Sequence, residues 1–144
     1  MRQFGTPTPA NKYIDRPSAY GVVFNARDYI FCVEHHGRYF LPGGGIDDGE
    51  NAKEALAREF IEETGFAVRI GEIIGGAGEF VDIPAENVFV NKIGRFYLCE
   101  FINPGHLLSK PEYKSLWISV DEFRAGAAHE SHVWAITTAQ QNRP

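Results

Sequence analysis

The sequence has one methionine and two cysteines in 144 residues, and it lacks any long apolar run. No stretch approaches the roughly 18 apolar residues of a membrane span, so no spanning helix is expected within the sequence. The opening MRQFGTPTPANKY lacks the apolar core of a signal peptide. Cys32 and Cys99 lie in apolar, strand-like runs. They read as reduced core thiols rather than a disulfide or a zinc site, as expected of a cytoplasmic protein. Excess positive charge is also missing. A formal net charge of -5 argues against a surface that tracks nucleic-acid phosphates. There are no internal repeats, low-complexity tracts or linkers. What is present is ordinary globular composition, 44% hydrophobic and 23% charged, in a length that suits one domain, residues 1–144.

Residues 1–18, rich in Pro, Thr and Asn, read as an irregular N-terminal arm with one edge strand near Tyr13. The β-rich runs AYGVVFN (19–25) and YIFCVEHH (29–36) read as a hairpin about a turn at ARD. GRYFLPGGG (37–45) leads into a glycine-rich loop. Further strands are expected over 67–83, broken at its glycines, and over 87–101 and 113–120. DEFRAGAA and ESHVWAITTAQQ are helix candidates. Strands with two or three helices among them indicate a mixed sheet with helices packed on its faces.

The strongest helix signal runs from Asn51 to Thr64. Asn51 followed by Glu54 is a capping-box pattern, and Gly65 stands where a left-handed terminating residue belongs. Leu56, Ala57, Phe60, Ile61 and Thr64 share the expected core face. Glu59, Glu62 and Glu63 crowd onto another, with Ala52 and Ala55 on the same side leaving space above them. Like charges at that spacing destabilise a helix. A divalent cation reverses the sign of that interaction, and hard cations such as Mg²⁺ take carboxylate, carbonyl, water and phosphate oxygens. Gly43, Gly44 and Gly45 precede the helix and permit close backbone approach. Arg58 can fold back on Glu50 and tie loop to helix.

Gly44, Glu50, Arg58-Glu59, Phe60, Glu62-Glu63 and Gly65-Phe66 have the spacing of the Nudix box. Over residues 44–66 the chain resembles the Nudix (MutT-like) hydrolases, which cleave nucleoside diphosphates linked to another moiety. Phe60 and Phe66 stand where that family usually has aliphatics. The resemblance implies an α/β/α sandwich, an α+β fold with a mixed sheet between helices. It implies Mg²⁺, with Mn²⁺ as a substitute, held by Glu59, Glu63 and the Gly44 carbonyl. Glu62 is implied as a further ligand or as the base, and Glu50 with Arg58 as the structural pair. The implied partner is a small nucleoside-diphosphate-linked substrate. A non-catalytic Nudix domain that binds a nucleotide or metabolite is the alternative.

Outside the box the reading is thinner. Some Nudix enzymes carry a further metal-binding carboxylate, for which Glu112 is preferred over Glu79 and Glu100. Arg38 and Arg95 are candidate phosphate contacts. Phe40, Phe80, Tyr39 and Phe89 are candidate stacking residues, and Gly43 is a substrate-loop residue. His129 and His132, flanking Glu130, are expected as one exposed and one partly buried ring. His35 and His36 are expected to be solvated. ADP-ribose hydrolases of the family tend to carry a proline where this chain has Phe80, so a nucleoside triphosphate, oxidised or otherwise non-standard, is favoured. A homodimer is compatible with the sequence.

Overall fold

The computed structural model describes residues 1–143. Its elements in chain order are β1 (Arg2–Phe4), β2 (Ile14–Val22), β3 (Ile30–His35), β4 (Arg38–Phe40), β5 (Gly43–Gly45), α1 (Ala52–Thr64), β6 (Val68–Ile83), β7 (Val88–Phe101), β8 (Lys114–Ile118), α2 (Val120–Gly126) and α3 (Glu130–Gln141). A mixed five-stranded sheet has the order β1-β6-β7-β2-β5, and a three-stranded antiparallel sheet the order β4-β3-β8.

Strand alternation sorts the core into two layers. On β2, Tyr20 and Val22 join Phe96, Phe123, Ala135 and Ile136 on the α2/α3 side. Their neighbours Ala19 and Val23 join Leu56, Phe60, Tyr97 and Cys99 on the α1 side. The expected helices on both faces are therefore present. Both cysteines are buried and free, and no helix among the described residues is long and apolar enough to cross a membrane.

Four local expectations are corrected. The N-terminal segment is irregular only over residues 5–13: β1 pairs with β6, and β2 begins at Ile14 in the sheet interior between β7 and β5. Composition hid β2 because its first four residues are exposed. The run over 67–83 is one strand of 16 residues, whose register shifts near Ile73 absorb the irregularity that glycines announce. Gly43–Gly45 is a short strand on β2 rather than a loop. The hairpin linking β2 and β3 closes by Asn25 and Tyr29, but its two strands enter different sheets.

Helix α1 starts and stops as the sequence indicates. The Asn51 side chain accepts from the Glu54 N–H at 2.8 Å, and Glu54 accepts from the Asn51 N–H at 3.0 Å. Gly65 ends the helix at φ 80°. The buried face, however, is Ala52, Ala55, Leu56, Phe60 and Thr64, whereas Ala57 and Ile61 are half-buried. Ala52 and Ala55 do lie on the carboxylate side, but they are filled against the core and leave no space.

Candidate active site

That shift of the buried face matters for the carboxylates. Glu59 and Glu63 continue the Ala52–Ala55 stripe at helical spacing, so they point inward at the sheet. Glu59 is 19% exposed. Glu62, a turn away, is 50% exposed.

Strand β5 meets this inward edge. The Gly43 N–H donates to Glu63 Oε1 at 2.9 Å. A Cβ on Gly44 would lie 2.8 Å from the carboxylate carbon of Glu59, so a side chain at Gly44 would fill the cradle that holds that carboxylate. Gly43 has φ 146°, and a Cβ there would strike the Ala19 carbonyl. These two glycines bring bare backbone up to two acidic side chains.

Arg58 organises the remainder. It donates to Glu50 through Nε at 2.7 Å and Nη2 at 2.9 Å, a bidentate pair. Nη2 also donates to the Gly45 carbonyl at 3.2 Å and lies 3.3 Å from Asp47. Nη1 reaches Glu59 at 3.1 Å and Glu62 at 3.2 Å. One guanidinium thus joins the loop before α1, strand β5 and two of the box carboxylates. It holds the Glu50 carboxyl down at about 2, helped by the Asp47 N–H, and Arg58 itself is held firmly protonated by Glu50.

The inward pair lives in the opposite regime. Burial first, then repulsion from Glu59, Glu112 and Glu62, pushes Glu63 up to about 8 against the pull of the Gly43 N–H. Burial likewise raises Glu59, with Arg58 opposing. The site is short of positive charge. Among the described residues no three acidic, histidine or cysteine side chains already surround one cation position, since Arg58 draws Glu59 and Glu62 to itself. The donor set is nonetheless all hard oxygen, and the bare Gly44 cradle lies at its centre, which fits Mg²⁺ or Mn²⁺.

The loop over 102–113 lies across the end of α1. Ser109 Oγ donates to the Ile61 carbonyl, and the N–H groups of Glu112, Tyr113 and Leu108 donate to the carbonyls of Glu62, Glu63 and Gly65. Carbonyls left over at a helix end are thereby satisfied, and Glu112 comes close enough to act on Glu59 and Glu63.

A cavity of about 250 Å³ opens beside Glu63 and Gly43–Gly45. One wall is Arg16, Ser18, Tyr20 and Lys92; another is His35, Phe40 and Tyr113. His35 lies 4.7 Å from the Tyr113 ring, so it is a half-buried wall residue rather than a solvated one. Of the expected residues, Glu63, Gly43, Gly44 and Phe40 line this cavity. Arg38 does not: it donates to the Ala127 carbonyl at 2.6 Å and borders a separate depression. Phe80 packs on Tyr13 at 5.0 Å, and Phe89 does the same at 5.9 Å. Tyr39 stacks on Phe123. Glu100 pairs with Arg69. His129 and His132 are both buried, 8% and 1% exposed.

The family model described as NUDIX domain matches residues 15–136. The chain belongs to the NUDIX family. Its fold is that of a MutT protein from Methanosarcina mazei Go1, with TM-score 0.71 and 18% identity over 93% of this chain and 99% of that one. It is similar to an RNA pyrophosphohydrolase of Wolbachia sp. subsp. Brugia malayi, 28% identical over 78% of this chain and 80% of that protein. It is also similar to a putative 8-oxo-dGTP diphosphatase of Bacillus subtilis, 39% identical over 40% of each chain. The Nudix alignment thus reaches most of one relative's length and under half of the other's.

Reading residues 1–18 as an irregular arm hid Arg16 and Ser18, and with them the continuity of their strand with Tyr20. Once that strand is placed, period two puts all three on one face. Lys92, His35 and Tyr113 carry no local signal; only pairing and loop closure bring them to the cavity.

Proposed function

We propose that this Nudix protein hydrolyses a phosphoanhydride bond in a nucleoside triphosphate, with Mg²⁺ as its metal and Mn²⁺ as a substitute. The observation that carries this reading is the burial of Glu59 and Glu63 against bare glycine backbone at the edge of a cavity. Glu59, Glu63 and the Gly44 carbonyl hold the metal, with Glu112 close by. When bound, the metal neutralises phosphate charge and makes an attacking water more acidic. Gly43 orients Glu63 through its N–H. Glu62, exposed and tethered only by Arg58, takes the proton from water. Arg58 and Glu50 touch no substrate and fix the helix to β5. Phe40, His35 and Tyr113 give the base an aromatic wall.

A triphosphate fits because the cavity sets two cations, Arg16 and Lys92, beside the acidic edge. The relatives named for 8-oxo-dGTP and for RNA make nucleoside 5′-triphosphates the natural first substrates. The test is a phosphate-release screen with Mg²⁺ and Mn²⁺ over nucleoside triphosphates, diphosphates, nucleotide sugars and 5′-triphosphorylated RNA. Turnover of triphosphates is expected. A folded protein that binds nucleotides but cleaves none would instead be a binding module.

A further inference from the structure

Arg16, Lys92 and Glu79 form one row across three strands. Arg16 is the register partner of Lys92 on β2 and β7, and Lys92 is the partner of Glu79 on β7 and β6. Two cations side by side on neighbouring strands repel. Among the described residues neither Arg16 nor Lys92 forms an ion pair, although both line the cavity.

Lys92 does not reach Glu79 directly because an imidazole stands between them. His129 Nδ1 lies 3.4 Å from Glu79 Oε2, and His129 Nε2 lies 3.5 Å from Lys92 Nζ. Glu79 is itself fixed at the start of α3, accepting from the Ser131 N–H at 2.8 Å and the Glu130 N–H at 3.3 Å. This order sets the tautomer. A carboxylate only accepts, so Nδ1 carries the proton; an ammonium only donates, so Nε2 presents its lone pair. Glu79 and His129 are both buried, which makes the chain Lys92–His129–Glu79 a rigid support. One ammonium hydrogen is directed to His129, and the others are left for the cavity.

We propose that Lys92, together with Arg16, grips a phosphate of the substrate beyond the one at the carboxylates, and that His129, backed by Glu79, positions Lys92 for this contact. The arrangement selects a triphosphate chain over a diphosphate. This rests on the hydrolase reading above and assigns its specificity. Burial already disfavours the Lys92 charge, with Glu79 pulling the other way and Arg16 adding to the cost. An anionic ligand reverses that balance.

The decisive measurement is kcat/KM for a nucleoside triphosphate against the matching diphosphate, in wild type, Lys92→Gln, Lys92→Arg and His129→Phe. Lys92→Gln should cut the triphosphate preference about tenfold or more, through KM. Lys92→Arg should recover most of it. His129→Phe keeps the ring volume without the acceptor, and should raise KM for the triphosphate while leaving kcat near wild type. Lys53→Gln removes an exposed cation from α1, away from the cavity, and should keep the preference. An unchanged preference in Lys92→Gln, or an equal loss on both substrates, overturns the proposal. Calorimetry with inorganic tripolyphosphate and pyrophosphate separates this from failure of the hydrolase reading. A protein that cleaves nothing should still bind tripolyphosphate, and more weakly as Lys92→Gln. No binding, or equal binding by both proteins, rules out the phosphate grip.

Discussion

Gly44 and Glu59 are in contact in a way no other residue at position 44 permits: a Cβ there would lie 2.8 Å from the Glu59 carboxylate carbon and 3.0 Å from each of its oxygens. The obstructed group is the end of a flexible side chain, so Gly44→Ala should fold with little change in stability. The carboxylate must move, however, and misplacement on the order of 1 Å costs about a hundredfold in rate. We expect that loss in kcat with an unchanged melting temperature. Gly43→Ala meets the Ala19 backbone at positive φ, and should lose stability as well.

Glu59→Gln keeps shape and removes charge. Because burial already penalises the ionised form of Glu59, the variant should be at least as stable as wild type. If Glu59 holds the metal as proposed, its loss should lower kcat on the order of a thousandfold. Glu54→Gln, on the outer face and able to keep the capping box with Asn51, is the control and should be nearly silent. Steady-state rates at saturating Mg²⁺ compare the two.

Arg58→Ala removes a guanidinium shared by Glu50, Gly45, Asp47, Glu59 and Glu62. Partly buried charged hydrogen bonds of this kind suggest a cost of about 1–3 kcal/mol. Denaturant unfolding should show that loss, and activity should fall through the proposed bracing of α1 against β5. Full activity at full stability would remove the bracing role.

A protein short of positive charge at Glu59 and Glu63 should be stabilised by what supplies it. Mg²⁺ or Mn²⁺ bound to the native state raises stability by about 1.4 kcal/mol for each tenfold excess over Kd. A rise in melting temperature with either ion, abolished by EDTA and absent in Glu59→Gln, is the expected outcome.

Acid should weaken the fold through the α3 side. His132 is fully buried, and its Nδ1 accepts from the Leu41 N–H at 3.1 Å; burial, with His129 and Lys92 nearby, drives its pKa well below 6.5. Below 6.5 the unfolded chain takes up a proton that the native ring refuses, so stability falls as pH falls. Glu79 adds to this in a lower range. Burial works against its ionisation, but His129 and the Ser131 N–H prevail and lower its pKa from 4.5. Its stabilisation is present above 4.5 and is lost as pH drops through the folded value. The carboxyls of Glu59 and Glu63, raised by burial, act in the opposite sense and add stability as pH falls toward 4.5. The two declines are therefore read as differences in urea midpoint between wild type and His132→Asn or Glu79→Gln, from about pH 8 to about pH 3. His132→Asn, which keeps an acceptor near Leu41, should flatten the upper one.

The box was legible because its spacing is local. Asn51, Glu54 and Gly65 fix one helix, and the turn-by-turn spacing of Glu59, Glu62 and Glu63 follows from it. Even the aromatic departures have a structural reason. Phe60 packs on Phe31 and Phe101, and at Gly21 a Cβ would crowd its ring at 3.2 Å. Which side of α1 is buried was less legible. Ala52 and Ala55 are as compatible with a bare surface as with close packing, and only the sheet decides. The second half of the cavity was not legible at all. Lys92 reaches it through pairing with Arg16, a residue far away in sequence, and His129 reaches Lys92 through the docking of α3.

The contacts of the 102–113 loop with the end of α1 have a dynamic consequence. Residues 102–112 are exposed at the surface, where amides ordinarily exchange fast and insertions are tolerated. Here the amides of Leu108, Glu112 and Tyr113 are bonded to the last carbonyls of the helix that carries Glu62 and Glu63. Loop and helix end therefore open as one cooperative unit. Lengthening this loop would fray the helix turn bearing the carboxylates, so its length is constrained by the chemistry it does not itself perform.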